Sequence, residues 1–203
     1  ECYLKVKQLD DGEKTFNYLI SQYRKGPFVG SAAYRLAIMR LDDKDYLNAL
    51  AFFKTAKNEL TNPKVKLEAT YYCARCLQLT QQSQQALAQF YELIEAAPAE
   101  ENPFHERALL ESARLHFELG ETKLALEKFK ELADTASTEA FQQEAVVRGG
   151  LLAAEAGQTE ISEALLNRAL KFSDTSPWKA LAQVGAIFNA FAREDYERVI
   201  GIY

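Results

Sequence analysis

No apolar run in the 203 residues approaches the roughly 18 to 20 that a membrane-spanning helix needs, so no span is expected. Cysteine and histidine are scarce, three and two in all, which leaves little material for metal chemistry. The one CxxC, Cys73-Ala-Arg-Cys76, has no second CxxC or paired histidine to complete four zinc ligands. It is also poorly placed for redox work, because a reactive thiol needs an exposed helix N-terminus and this pair falls in the middle of a helical stretch. Both cysteines are therefore expected as small core residues, and Cys2, without a lipobox around it, has no assigned role. His105-Glu106 begins like a zinc-protease helix, but Leu109 stands where the second ligand would be. His116 has no serine or cysteine nucleophile spaced to it and is expected partly buried between helices. Gly149-Gly150 lies in neither a GxGxxG nor a GK[ST] pattern, so it is no phosphate loop. Carboxylates are plentiful, yet nothing marks one pair as acid and base. No catalytic residue, metal or cofactor is expected. A net charge of -5 gives no basic footprint, which argues against nucleic acid as a partner.

What the chain has instead is repetition. Phe16, Phe53, Phe90, Phe129, Leu166 and Tyr203 form one column, at separations of 37, 37, 39, 37 and 37 residues. A second column holds Ala37, Ala74, Ala113 and Gly150, with Ile187 as its bulky exception. A third runs Gly12, Ala49, Ala86, Ala125 and Ser162 and ends in Val199. Self-similarity at such a period marks a stacked solenoid, whose units cannot bury their apolar faces alone. Within a unit the two small residues lie 12 apart and the aromatic follows 4 later, as in Ala37, Ala49 and Phe53. That spacing places the small residues on successive helices of a hairpin. Two antiparallel helices approach closely only where side chains are small, and the aromatic one turn on fills the wedge beyond.

The breaks agree in phase: Asp42-Asp43, Thr80-Gln81-Gln82, Gly120-Glu121-Thr122, Gly157-Gln158-Thr159 and Arg193-Glu194-Asp195. Gly120 and Gly157 suit helix C-caps, and Thr122 and Thr159 suit N-caps. Pro27, Pro63, Pro103 and Pro177 sit at the seams before or within the first turn of a unit, where a missing N–H costs little. No linker divides the chain, so residues 1–203 are read as a single domain.

Leu36-Ala37, Tyr46, Ala49, Phe53 and Ala56 in one unit resemble a tetratricopeptide repeat, as do Ala74, Leu77, Ala86, Phe90 and Pro98, and Ala113, Gly120, Ala125 and Phe129, in the next two. Gly150, Gly157, Ser162, Leu166 and Ala169 keep the pattern more loosely, and Ile187 and Val199 depart from it. The resemblance implies an all-α, right-handed superhelical solenoid of about five antiparallel hairpins. The 37-residue period, longer than the family's commoner 34, together with Phe16–Tyr23, Gly26-Pro-Phe and Ala33–Ala37, resembles the bacterial cell-envelope branch of TolA-binding and outer-membrane-assembly lipoproteins. That likeness would imply a periplasmic or envelope location. By repeat phase both ends fall inside a unit, Glu1 in the latter half of a first helix, so an excerpt of a longer solenoid is expected.

In this family the first helix of each unit lines the concave side. By phase the resemblance implies a ligand-facing set of Tyr34, Ile38 and Leu41; Tyr71, Arg75 and Gln78; Leu110, Arg114 and Phe117; Val147 and Leu151; and Val184, Phe188 and Phe191. Tyrosine and arginine are the composition of peptide-binding hot spots. Arg75 and Arg114 would form a positive ladder for a partner carrying carboxylates, unless the tyrosines only pack on neighbours and the arginines pair with glutamates. The function expected is a non-catalytic scaffold that binds a protein or peptide in its groove. A self-associating, homo-oligomeric structural module is the alternative, and a ligand sensor or enzyme the third reading.

Overall fold

The computed structural model describes the backbone of residues 2–23 and 25–202 and the side chains of 11–23 and 25–202. Glu1, the Cys2 side chain and the last column member, Tyr203, lie outside the described residues. Eleven α-helices and no strand occur among the described residues: α1 (Cys2–Gln22), α2 (Pro27–Asp42), α3 (Tyr46–Glu59), α4 (Pro63–Leu79), α5 (Ser83–Glu95), α6 (His105–Glu118), α7 (Thr122–Thr135), α8 (Glu139–Glu155), α9 (Thr159–Ala169), α10 (Lys179–Ala192) and α11 (Tyr196–Ile202). A short 3-10 turn, Ala99–Glu101, precedes α6. The chain forms two compact units, Glu1–Ala108 and Leu109–Tyr203, divided within α6. In the first, α1 packs on α2, α2 on α3, α3 on α4 and α4 on α5; in the second, α7 packs on α8, α8 on α9, and α10 on α8, α9 and α11.

One backbone device closes every hairpin. Lys44, Gln81, Gly120, Gly157 and Glu194 have φ of 60°, 60°, 74°, 70° and 59°. The N–H of the residue after each donates to a carbonyl five positions back, as from Asp45 to Arg40 and from Glu121 to His116, both at 2.8 Å. The left-handed residue itself donates to a carbonyl three positions back, so two orphan carbonyls are satisfied at each helix end. Gly120 and Gly157 are thus C-terminal caps as expected, since glycine adopts positive φ without a Cβ penalty. Thr122 and Thr159 are not N-caps: the left-handed turn spends one residue only, so Glu121 and Gln158 take that position and each threonine opens its helix. Pro27 and Pro63 open α2 and α4, where Asn62 caps the latter by accepting from the Lys64 and Val65 N–H groups.

The columns are the core. Ala37, Ala49 and Phe53, their equivalents Ala74, Ala86, Phe90 and Ala113, Ala125, Phe129, and Ser162 and Leu166 are at most 1% exposed. At Gly150 an added Cβ would lie 2.8 Å from Leu166 Cγ, which shows how closely α8 meets α9. Ser162 stands in an alanine column because its buried hydroxyl donates to the Gly150 carbonyl and accepts from Asn189 Nδ2, each at 2.7 Å. Ala74→Leu or Ala86→Leu should therefore separate the helices of a hairpin and cost about 1 to 3 kcal/mol, measured by urea unfolding. Stability equal to the parent in both would refute this contact geometry.

Two parts depart from the sequence reading. α1 runs unbroken from Cys2 to Gln22, so the helix break expected ahead of Gly12 is missing, and a Cβ on Gly12 would meet nothing. In α10 the buried residues are Ala182, Gly185, Ala186, Asn189 and Ala190, while Ile187 is half-exposed. Ala186 is buried in the phase of the buried Gly149, so the register is kept, and Ile187, in the phase of the buried Gly150, is the less covered member of its column. Gly185 lies against Leu151, where an added Cβ would lie 2.6 Å from Cδ2. No residue of α11 is buried, and Val199 is half-exposed.

Candidate functional site

In the first unit the expected ligand-facing residues are largely taken up by packing. Tyr34 is half-buried, edge-on to Phe53 at 6.1 Å, and its phenol is pushed above its ordinary range by burial and then by the neighbouring Glu68 carboxylate. Tyr71 is buried, stacks on Phe104 at 5.2 Å, and carries the Arg107 guanidinium over its ring at 5.6 Å. Phe53 stacks on Tyr72 and Phe90 lies tilted against Tyr71, so the aromatics run through adjacent helices. Arg75 donates to Gln78 Oε1 at 2.5 Å, and Ile38 and Leu41 are half-buried.

The second unit leaves more exposed. Leu110 and Val147 are buried, but Phe117 is 46%, Val184 48%, Phe188 70% and Phe191 61% exposed, with Leu151 half-buried. Val184 shares its repeat phase with the buried Val147, and Phe188 with Leu151, which Gly185 meets. The same pattern thus gives core in α8 and surface in α10.

Arg114 is not an unpaired cation. Its Nε and Nη2 donate to the two Glu144 carboxylate oxygens at 2.8 and 2.5 Å, and its Nη1 donates to Glu111 at 3.1 Å. Glu144 also accepts from Arg148 Nε at 2.7 Å, and the Arg148 guanidinium lies over the Trp178 ring at 5.4 Å. This ion-pair chain balances its charges and is fixed by a bidentate contact. The positive ladder expected of Arg75 and Arg114 is therefore closed at its Arg114 end. Sequence reading missed Glu144 and Arg148, although Glu111 with Arg114 and Glu144 with Arg148 have the i,i+3 and i,i+4 spacing of helical ion pairs. Burial alone would raise the Glu144 carboxyl, but Arg114 and then Arg148 outweigh it and hold it below the ordinary carboxylate range. A depressed folded-state pKa stabilises above the unfolded value and is lost as pH falls through the folded one. Stability should accordingly drop on acidification below about pH 4, and less steeply in Glu144→Gln. Parallel stability–pH curves for the two proteins, from urea unfolding, would contradict this.

Beside this chain the second unit has a cavity of about 100 Å³ lined by Phe117, Phe129, Arg148, Leu151, Leu152 and Glu155. Phe129, the aromatic column residue, forms its buried side, and the exposed Phe117 stands at its mouth. Glu155 at the end of α8 is exposed, and its carboxylate has no hydrogen bond or ion pair to a described residue. The volume falls well short of the roughly 300 Å³ at which sites for small molecules begin. It suits one side chain.

Elsewhere the chemistry is quiet. Cys73 and Cys76 are buried core residues, and burial pushes both thiols up, Cys76 to about 12. His116 is more deeply buried than expected, with Nδ1 2.5 Å from a Glu121 carboxylate oxygen. Among the described residues no cluster of three or more His, Cys, Asp or Glu is placed to hold a metal, and no helix is long and apolar enough to cross a membrane.

No protein-family model and no curated protein matches the sequence. Solved structures do match the fold. A tetratricopeptide repeat protein from Parabacteroides merdae is 21% identical with a TM-score of 0.68, over 85% of this chain and 63% of its own, so this chain spans less than two thirds of it. YrrB, described as a tetratricopeptide repeat protein with an unusual peptide-binding site, is 16% identical with a TM-score of 0.67, over 92% of this chain and 88% of its own. MamA from Desulfovibrio magneticus is 17% identical with a TM-score of 0.64, over 85% and 90%. The in-register columns and these likenesses converge: the chain is an all-α helical-repeat solenoid with the tetratricopeptide-repeat fold.

Proposed function

We propose that the chain is a non-catalytic scaffold that binds a peptide or protein segment on the first helices of its repeats, chiefly along α6, α8 and α10. The carrying observation is the set of apolar side chains left exposed there, Phe117, Val184 and Phe188, beside the half-buried Leu151 and its cavity. Large exposed aromatics are costly to keep in water and are the side chains that dominate protein interfaces. The peptide-binding site for which YrrB is described supports the reading by likeness of fold. Of the other residues expected to face a ligand, Leu110 is buried and Arg114 is ion-paired within the same unit, and Tyr34, Ile38, Leu41, Tyr71, Arg75 and Gln78 belong to the first unit. The test is selection of binders from a random-peptide display library, followed by hydrogen exchange of the complex. Protection in α6, α8 and α10, with loss of binding in Phe117→Ala or Phe188→Ala, is expected. Failure to select any binder, or protection confined to α7 and α9, would overturn it.

One observation favours a second reading, self-association. Val184 is 48% exposed where its phase partner Val147 is fully covered, so α10 offers a face that another helix could close. A concentration series in analytical ultracentrifugation decides, since a monomer at all concentrations removes that reading. The envelope assignment rests on the 37-residue period and the segments quoted for it, and a lipidation cysteine at the native N-terminus would be its evidence.

A further inference from the structure

The geometry points to a specific occupant for the cavity at Phe117, Leu151 and Glu155: an aliphatic side chain next to a lysine or arginine of the bound segment. The inference deepens the scaffold reading and rests on it. The cavity measures about 100 Å³, smaller than the roughly 150 Å³ apolar cavity that accepts benzene, so it fits leucine, isoleucine or methionine better than an aromatic ring. Phe117, Phe129, Leu151 and Leu152 supply apolar walls, and burying a leucine there rewards one residue type strongly.

Charge decides the neighbour. The cation on the lining, Arg148, is already committed to Glu144 at 2.7 Å and to the Trp178 ring, and Arg114 is held by Glu144 and Glu111. An acidic partner would have to break those contacts. Glu155 is the lining carboxylate with no partner among the described residues, and it is exposed at the mouth. A basic residue adjacent to the anchored aliphatic one meets it without displacing anything, giving a charge-assisted hydrogen bond. The segment the site selects is thus aliphatic and basic, the reverse of the acidic partner that the two arginines suggest in the sequence.

The probes are short fluorescein-labelled peptides of alanine, serine and glycine with Leu-Lys, Leu-Glu, Ala-Lys or Ala-Glu at the centre, read by fluorescence polarisation. Leu-Lys should bind about tenfold more tightly than Leu-Glu and about tenfold more tightly than Ala-Lys. Glu155→Lys, an exposed change at a helix end that leaves the helical spectrum intact, should reverse the Lys-over-Glu preference. Phe117→Ala should weaken the leucine peptides and leave the alanine ones unchanged. A wild-type preference for Leu-Glu, or a Lys preference that Glu155→Lys does not move, overturns the proposal. If none of the four binds while library-selected peptides do, the cavity assignment fails and the scaffold stands. If the library also yields nothing, the scaffold reading fails with it.

Discussion

Phe90→Ala is expected to lower the free energy of unfolding by about 3 to 5 kcal/mol, the cost of removing a fully buried ring and leaving its cavity. Phe90 is 0% exposed, sits in the wedge beyond the Ala74 and Ala86 columns, and lies against the buried Tyr71 at 6.3 Å. The neighbours that would have to collapse into the space are themselves fixed: Ala74 and Ala86 are small, and Tyr71 is stacked on Phe104. Relaxation therefore recovers little of the loss. Urea unfolding followed by circular dichroism is the measurement, with Phe28→Ala, 78% exposed, as the comparison that should change by no more than about 0.5 kcal/mol. Similar midpoints for the two variants would show that the aromatic column is not the core.

Gly30→Ala should be nearly as damaging, at about 2 to 3 kcal/mol, although it adds a single methyl group. The new Cβ would lie 2.7 Å from the Glu59 carbonyl carbon and 2.8 Å from the Leu60 nitrogen. Those are backbone atoms at the end of α3 and cannot swing aside as a side chain would. The Gly26 N–H donates to the Glu59 carboxylate at 2.6 Å in the same joint, so moving α2 away also stretches that bond. Gly12→Ala makes the opposite prediction: its Cβ meets nothing, and replacing glycine inside a helix should stabilise by about 0.5 to 1 kcal/mol. Two Gly→Ala changes of opposite sign, read by the same unfolding curves, test the packing directly.

The repeat was legible because small residues at a fixed phase can mean little else than close helix contact. Ala37, Ala74 and Ala113 are core, as the period requires. Features that depend on how far a neighbouring helix covers a position were not legible. Ile187 is half-exposed where Gly150, in the same phase, is buried, and nothing local in α10 announces it. The left-handed turns at Lys44, Gln81 and Glu194 are imposed by the hairpin geometry on residues that do not demand it, whereas Gly120 and Gly157 showed theirs. The candidate site was the least readable part. Phase names helices, but whether Leu110, Val147 or Val184 meets solvent depends on which helix covers it, and the carboxylate that closes Arg114 lies 30 residues further on.

The central claim is that a partner segment anchors an aliphatic side chain among Phe117, Leu151 and Leu152. Methyl NMR of leucine-labelled protein, titrated with the Leu-Lys peptide, tests it most directly. Saturable shifts at Leu151 and Leu152, absent with the Ala-Lys peptide and lacking at Leu126 and Leu165, are the predicted result. Saturable binding of the Leu-Lys peptide that leaves Leu151 and Leu152 unmoved would contradict it.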